Sequence, residues 1–451
     1  METVRIGSGA GFADDRIEPA AELAERGRLD YLVFECLAER TVALAQLAKL
    51  RDPDAGYNEW LADRMAAVLP ACVRHGTTII TNMGAAHPLA AARTVARLAR
   101  DLGIRGLKVA AVTGDDVLAL VEGRDLPLQH REDTLASLGA TVVSANAYLG
   151  CEPIVAALRE GADVVITGRV ADPSLFLAPL VHEFGWSTPG MSTVDWHRLG
   201  KGTAAGHLLE CAGQVTGGYF ADPGLNDVPD LARLGFPIAE VAGDGSCTIT
   251  KLPGSGGRVT VRTVTEQLLY EVHDPAAYQT PDVVADFSGA RLEQTGPDEV
   301  ALSGITGRER PRTLKVSVGY RDGFVGEGEI SYTGPNASAR ARLALDVVAE
   351  RLRLTGLPAT GTRFELLGID SVHRGAGPAR AVEPVEVRAR VAGRTDTLAR
   401  ARRIGHEVSS LWLNGPAGGG GVRRTAHEII GIVSTFLPRE EIAAEITMLE
   451  S

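Results

Sequence analysis

Several of the polar residues in this 451-residue chain that could do chemistry stand where a β-branched run gives way to a helical pattern. The stretch Asp163-Val-Val-Ile-Thr-Gly-Arg-Val-Ala-Asp-Pro-Ser174 ends with Arg169 and Asp172 three residues apart in one loop. An arginine fork there can clamp a carboxylate or phosphate, and a neighbouring carboxylate can move protons. Alternatively the two pair with each other and brace the loop. In His207-Leu-Leu-Glu-Cys211, helical spacing brings His207 against Glu210, which could orient it as an acid or base. A packed histidine is the plainer alternative. The segment lacks the H-E-x-x-H pattern of a zinc helix, so no metal is expected. Glu35, Asn82 and Asn146 each close a strand-like run. Glu35 is a candidate proton carrier, or a ribose-binding acid if the chain holds a dinucleotide. The two asparagines can polarise a carbonyl or satisfy a turn.

Other residues suggest binding. Gly7-Ser8-Gly9-Ala10-Gly11-Phe12 follows the first strand-like run, and a glycine-rich turn at a helix start lets backbone N–H groups meet an anion. Phe12 stands where the dinucleotide fingerprint needs glycine, and no P-loop sequence occurs. A tight strand-to-helix turn is the alternative. His87-Pro88, Glu152-Pro153 and Asp172-Pro173 each put a polar residue before a helix-starting proline, as does Glu18-Pro19. Helix capping explains this best for Asp172, whereas His87 and Glu152 are poor caps and so gain weight as ligand contacts. Lys315 lies in a charged strand-like stretch and is a candidate for an anion. The run Gly418 to Gly421 reads as a mobile loop.

The elements that must position these residues follow from periodicity. Short apolar runs at 4–7, 31–35, 77–82, 107–113, 140–146 and 163–168 alternate with helical patterns, the signature of βα units. Six such strands favour an open doubly wound sheet over an eight-stranded barrel, and both put ligands at the carboxyl ends of the strands. The second half is predicted to be α+β. It has hairpins at Asp244-Gly245 and Asp322-Gly323, a helix over 337–354, strands near 364–369, 385–391 and 429–436, and a helix over 396–413. Proline, glycine, serine and threonine accumulate over 185–202, so the expected division is an α/β domain over 1–200 and an α+β domain over 201–451, with 201–281 as a candidate subdomain.

With 45% hydrophobic and 23% charged residues the chain is globular rather than disordered. A net charge of −11 without basic blocks argues against nucleic acid or anionic lipid, leaving a small anionic substrate open. No signal-peptide pattern or membrane span is evident, which predicts a cytoplasmic protein. The five cysteines are scattered and are expected to be small buried apolar residues.

Arg5-Ile-Gly-Ser-Gly-Ala-Gly-Phe-Ala13, Asp30-Tyr-Leu-Val-Phe-Glu-Cys-Leu-Ala-Glu-Arg40, Ala145-Asn-Ala-Tyr148, Gly168-Arg-Val-Ala-Asp-Pro173, Gly206-His-Leu-Leu-Glu-Cys211, Gln214-Val-Thr-Gly-Gly-Tyr-Phe220, Gln267-Leu-Leu-Tyr-Glu-Val-His-Asp-Pro275 and Leu314-Lys-Val-Ser-Val-Gly-Tyr320 resemble blocks of the acyclic terpene utilisation protein A family. The resemblance implies a place in branched-chain or isoprenoid acyl metabolism. The reaction expected from it is a hydratase, lyase or thioester step, with no cofactor beyond coenzyme A carried by the substrate. It transfers no established catalytic residue. Many relatives carry a further ferredoxin-like domain, so a separate small protein of that fold is an expected partner, as is a second copy of the chain. The other readings are a non-catalytic scaffold or binding subunit of an acyl-CoA pathway complex and an NAD(P)-dependent oxidoreductase.

Overall fold

The structure, a computed structural model, describes residues 3–187, 195–357, 360–376 and 383–451. It is a mixed α/β fold with two compact units, Met1–Gly319 with Ile432–Ser451, and Tyr320–Gly431. In the first unit the chain runs through β1 (Thr3–Ala10), α1 (Glu18–Arg26), β2 (Tyr31–Phe34), α2 (Glu39–Arg51), α3 (Leu61–His75), β3 (Thr78–Thr81), α4 (Pro88–Asp101), β4 (Lys108–Thr113) and α5 (Leu118–Val121). Next come β5 (Val142–Ala147), α6 (Glu152–Arg159), β6 (Val164–Thr167), α7 (Asp172–Phe184), α8 (Trp196–Glu210), β7 (Pro237–Ala242), β8 (Cys247–Lys251) and α9 (Val261–Leu269).

Five strands form a parallel centre in the order β1-β2-β3-β6-β4. Alternate residues of each apolar run serve opposite faces. Val33, Ile80 and Val165 pack with Ile154, Leu175 and Leu208 of α6, α7 and α8. Leu32, Ile79 and Val164 pack with Leu23, Met65 and Val95 of α1, α3 and α4. Burial on both faces explains why these strands read as unbroken β-branched runs. The sixth expected strand does form, as β5, but it leaves this sheet and pairs with β14 (Thr313–Thr333). The Tyr148 N–H donates to Lys315 O at 2.9 Å beside that pairing. The parallel centre therefore has five strands where the sequence predicted six.

Of the composition shift at 185–202, residues 188–194 lie outside the described residues and Trp196 onward belongs to α8; the strands that follow complete the same sheet, within the same compact unit. β7 pairs antiparallel with β1, setting Ile238 opposite Gly7. Beyond it lie β8, then β12 (Glu299–Ser303) and β11 (Arg291–Gly296). β9 (Tyr278–Gln279), β10 (Val284–Asp286) and β13 (Thr306–Arg308) form a small separate sheet. The hairpin at Asp244-Gly245 is present between β7 and β8, with Gly245 at φ +81° as its turn requires.

In the second unit β15 (Thr360–Leu367), β16 (Glu386–Thr395) and the later part of β14 pair antiparallel, with α10 (Ala337–Leu354) and α11 (Leu398–Asn414) packed against them over Ile330, Val348, Leu366, Val391 and Ile404. The hairpin expected at Asp322-Gly323 does not occur. Gly323 takes φ +85° inside one continuous β14, whose next residue, Phe324, pairs with Thr395 across to β16. Gly420 and Gly421 are the first residues of β17 (Gly420–Pro438), so half of the expected glycine loop is strand. The last strand, β18 (Glu445–Glu450), closes the first unit's sheet against β4. Among the described residues no helix is long and apolar enough to cross a membrane.

Candidate active site at the carboxyl ends of the strands

Because β1, β2, β3, β6 and β4 run parallel, the residues that follow them leave the sheet at one edge. Glu35 follows β2 and is buried. Its Oε1 accepts the Leu37 N–H at 2.8 Å and the Asn82 Nδ2–H at 2.9 Å. Asn82, which follows β3, also accepts the Cys36 N–H at 2.7 Å, so its amide braces this loop from both ends. Burial, reinforced by the nearby Asp172 carboxylate and opposed by Arg169, pushes the Glu35 carboxyl up to about 8. It is therefore mostly protonated at neutral pH.

Arg169, after β6, is 1% exposed. Its guanidinium donates to Leu37 O and Val170 O and is ion-paired with Asp172, while its Cζ lies 4.7 Å from the centre of the Tyr148 ring. Four of its five N–H groups are taken up in this way, so the arginine holds the loops after β2 and β6 together. Burial alone would lower its pKa, but the charges of Asp172, Tyr148, Glu35 and Glu39 raise it. Asp172 keeps 37% of its side chain accessible although its surroundings are dense enough to raise its pKa through burial. Glu39 extends this polar wall. It accepts Tyr148 Oη–H at 2.5 Å and Lys315 Nζ at 3.1 Å, and Nζ lies 4.9 Å from the Tyr148 ring centre. Burial works to raise its pKa, yet these two donors bring it down to about 2.

Behind the β6 loop, Asp115 Oδ2 accepts both the Arg169 N–H at 2.8 Å and Asn146 Nδ2–H at 2.9 Å. A Cβ on Gly168 would stand 2.5 Å from both Asp115 oxygens, so glycine is required for this close approach. Burial raises Asp115 to about 6, against the pull of these hydrogen bonds.

The end of α8 adds a second buried pair. His207 Nδ1 and Glu210 Oε1 are 2.8 Å apart, and Tyr278 Oη lies 3.4 Å from the same nitrogen. The imidazole packs against the Tyr278 and Phe287 rings at 5.1 and 5.8 Å between centres. His207 Nε2 and Glu210 Oε2 are buried without a hydrogen-bond partner. Burial raises Glu210 to about 7 despite His207; burial also works to lower His207, but the Glu210 charge and hydrogen bond, with the backbone of Leu268 and Gln267, together raise it. The carboxylates of Glu210 and Asp172 interact electrostatically, which ties the α8 pair to the cluster after β6.

The sequence model of the family described as acyclic terpene utilisation family protein AtuA matches residues 4–448. The chain belongs to that family. No curated protein matches it.

In this AtuA-family chain the structure brings together Glu35, Asn82, Arg169, Asp172, His207 and Glu210, with Asn146 one step behind and Lys315 at the rim. It separates the rest. Gly7, Ser8 and Gly9 lie inside β1, not in a turn. A Cβ on Gly7 would meet Leu29 at 2.5 Å, and one on Gly9 would meet Phe34 at 2.6 Å, so these glycines serve packing. Only Gly11 is in the turn, and its N–H already donates to Asp15 Oδ2 at 2.9 Å. His87 touches Ala55 O at 3.2 Å, and the half-exposed Glu152 pairs with Arg310 at 2.8 Å. Neither joins the cluster. Capping fails for Asp172, which is the first residue of α7 and bonds Arg169 instead of the helix N–H groups.

The candidate site also contains Glu39, Asp115, Tyr148 and Tyr278, which pattern reasoning missed. Tyr148 and Glu39 stand within the blocks that carry the family resemblance. Nothing local marks Asp115 or Tyr278. Four cysteines are buried as expected, and Cys211 is partly exposed.

Proposed function

We propose that the chain is an enzyme of branched-chain, isoprenoid-type acyl metabolism that acts on a carboxylic acid or its thioester by acid–base chemistry without a redox cofactor. The family's description, acyclic terpene utilisation, supports the substrate class. The observation that carries the reaction type is the buried Glu35 carboxyl, pushed up to about 8, beside the Asp172–Arg169 contact at the strand ends. Neighbouring carboxyls with different proton affinities form an acid and a base at one pH. Glu35 donates a proton to the reacting carbon or oxygen. Asp172, with 37% of its side chain accessible, removes one from water or from the substrate. His207, oriented by Glu210, supplies a second proton relay through its unpartnered Nε2. Arg169 and Asn82 position these groups. Addition or elimination of water across an unsaturated acyl group needs this pairing.

Purified protein incubated with branched and unsaturated acyl-CoA esters and the free acids, with products read by mass spectrometry, tests the proposal. Turnover in the wild type that is lost in Glu35→Gln and Asp172→Asn is the expected result. If no ester or acid is converted or bound, the enzymatic reading falls in favour of a scaffold role. In that case Asp172→Asn would leave pathway flux intact.

A further inference from the structure

Beside the acid–base cluster lies a groove of about 560 Å3, within the roughly 300–1,000 Å3 of small-molecule sites. Its floor is apolar, with Leu234 and Phe236 9% and 3% exposed. Its rim carries two aromatic rings open to solvent, Phe12 at 57% and Tyr219 at 90%. Tyr219 is held at φ +61°, a conformation that an aromatic residue adopts at a cost.

The charged residues of the lining are already engaged. Asp15 accepts the Gly11 and Arg16 N–H groups at 2.9 and 2.8 Å, Asp14 accepts Trp60 Nε1–H at 3.3 Å, and Arg16 donates to Leu231 O at 2.8 Å. With two aspartates against one arginine, the groove does not suit phosphates. What it offers is apolar surface, the hydroxyls of Tyr219 and Tyr270, and an amide donor, Gln214 Nε2, buried without a partner. Cys211 joins the groove to the catalytic cluster. It lines the groove, follows Glu210 at the end of α8, and interacts electrostatically with Glu210 and Glu35. Gly11 packs so tightly on it that a Cβ would stand 2.4 Å from the Cys211 carbonyl carbon.

We infer that this groove binds the hydrocarbon chain of the substrate, lying on Phe236 and Leu234 and covered by Phe12 and Tyr219, while the acyl head reaches Glu35 past Cys211. The inference rests on the acid–base reading for the position of the head. Chain binding itself can be measured without turnover.

The test is calorimetric titration of the full-length protein with hexanoate, octanoate and decanoate. Affinity is expected to rise by up to roughly three- to fourfold per added methylene, the value for full transfer out of water. Phe12→Ala and Tyr219→Gly should flatten that dependence and weaken decanoate by about tenfold. Both residues are exposed and glycine accepts the φ of Tyr219, so folding is preserved, as thermal melts would verify. Affinity independent of chain length, an unchanged slope in both variants, or displacement of decanoate by coenzyme A lacking an acyl group would each overturn the assignment. A chain-length slope without turnover of any ester would leave the groove assigned and sink the catalytic reading. Turnover indifferent to chain length would do the reverse.

Discussion

Glu35→Gln isolates the energetics on which the proposed chemistry depends. The substitution is nearly isosteric and keeps the oxygen that accepts the Leu37 N–H and the Asn82 amide. Only the ability to ionise is removed. A glutamate ordinarily near 4.5 is held at about 8 here, with burial as the main cause and the Asp172 charge next. At about 1.4 kcal/mol per tenfold change in proton affinity, that gap amounts to something on the order of 5 kcal/mol. The folded state binds the proton more tightly than the unfolded chain. Glu35 therefore costs nothing below about pH 4.5. Its penalty grows as pH rises and is complete above about 8. Wild type should lose stability between pH 5 and 8.5 relative to Glu35→Gln, and the variant should be the more stable by several kcal/mol at pH 8.5. Urea denaturation of both proteins at half-unit pH steps measures this. Parallel stability profiles would refute a raised Glu35 pKa, and with it the assignment of this residue as the acid.

Three further outcomes follow from the same geometry. Arg169→Met removes the cation that neutralises Asp172 and leaves buried acceptors without a donor. A loss of about 3–5 kcal/mol is expected in chemical denaturation, and a loss under 1 kcal/mol would contradict its bracing role. Gly168→Ala forces a methyl group against the Asp115 carboxylate and should cost about 1–3 kcal/mol, whereas Gly76→Ala, at a site with open space around it, should cost only what its left-handed backbone imposes. Tyr148→Phe deprives Glu39 of a donor that lowers its pKa to about 2. Stability that Glu39 supplies above its unfolded pKa is lost as pH falls toward 2, so the variant should unfold at a higher pH on acid titration, and an unmoved acid midpoint would count against the contact.

Much of the fold was legible because strand and helix periodicities are local. The β-branched runs marked all five strands of the parallel centre, Asp244-Gly245 marked its hairpin, and α10 begins and ends where the helical pattern does. Errors arose where a local signal has two tertiary outcomes. Asp322-Gly323 has the residues of a hairpin turn, but a glycine at φ +85° can equally sit inside a long strand that gains a partner in β16. β5 looks like its neighbours in sequence, and its pairing with β14 depends on residues far along the chain.

The site divides in the same way. Sequence alone determined which residue types stand after the strands, and hence that Glu35, Asn82, Arg169 and Asp172 meet at one edge, since parallel strands carry their ends together. It also determined the His207–Glu210 pair, because helical spacing makes such neighbours. Only the tertiary structure decided the role of each. Whether Arg169 clamps a ligand or braces a loop depends on which acceptors reach its N–H groups, and Leu37 from the loop after β2, with Val170 and Asp172 from its own loop, take four of the five. Whether Glu35 holds its proton at neutral pH depends on burial and on the charge of Asp172, which come from the packing of the whole sheet and not from its neighbours in the chain.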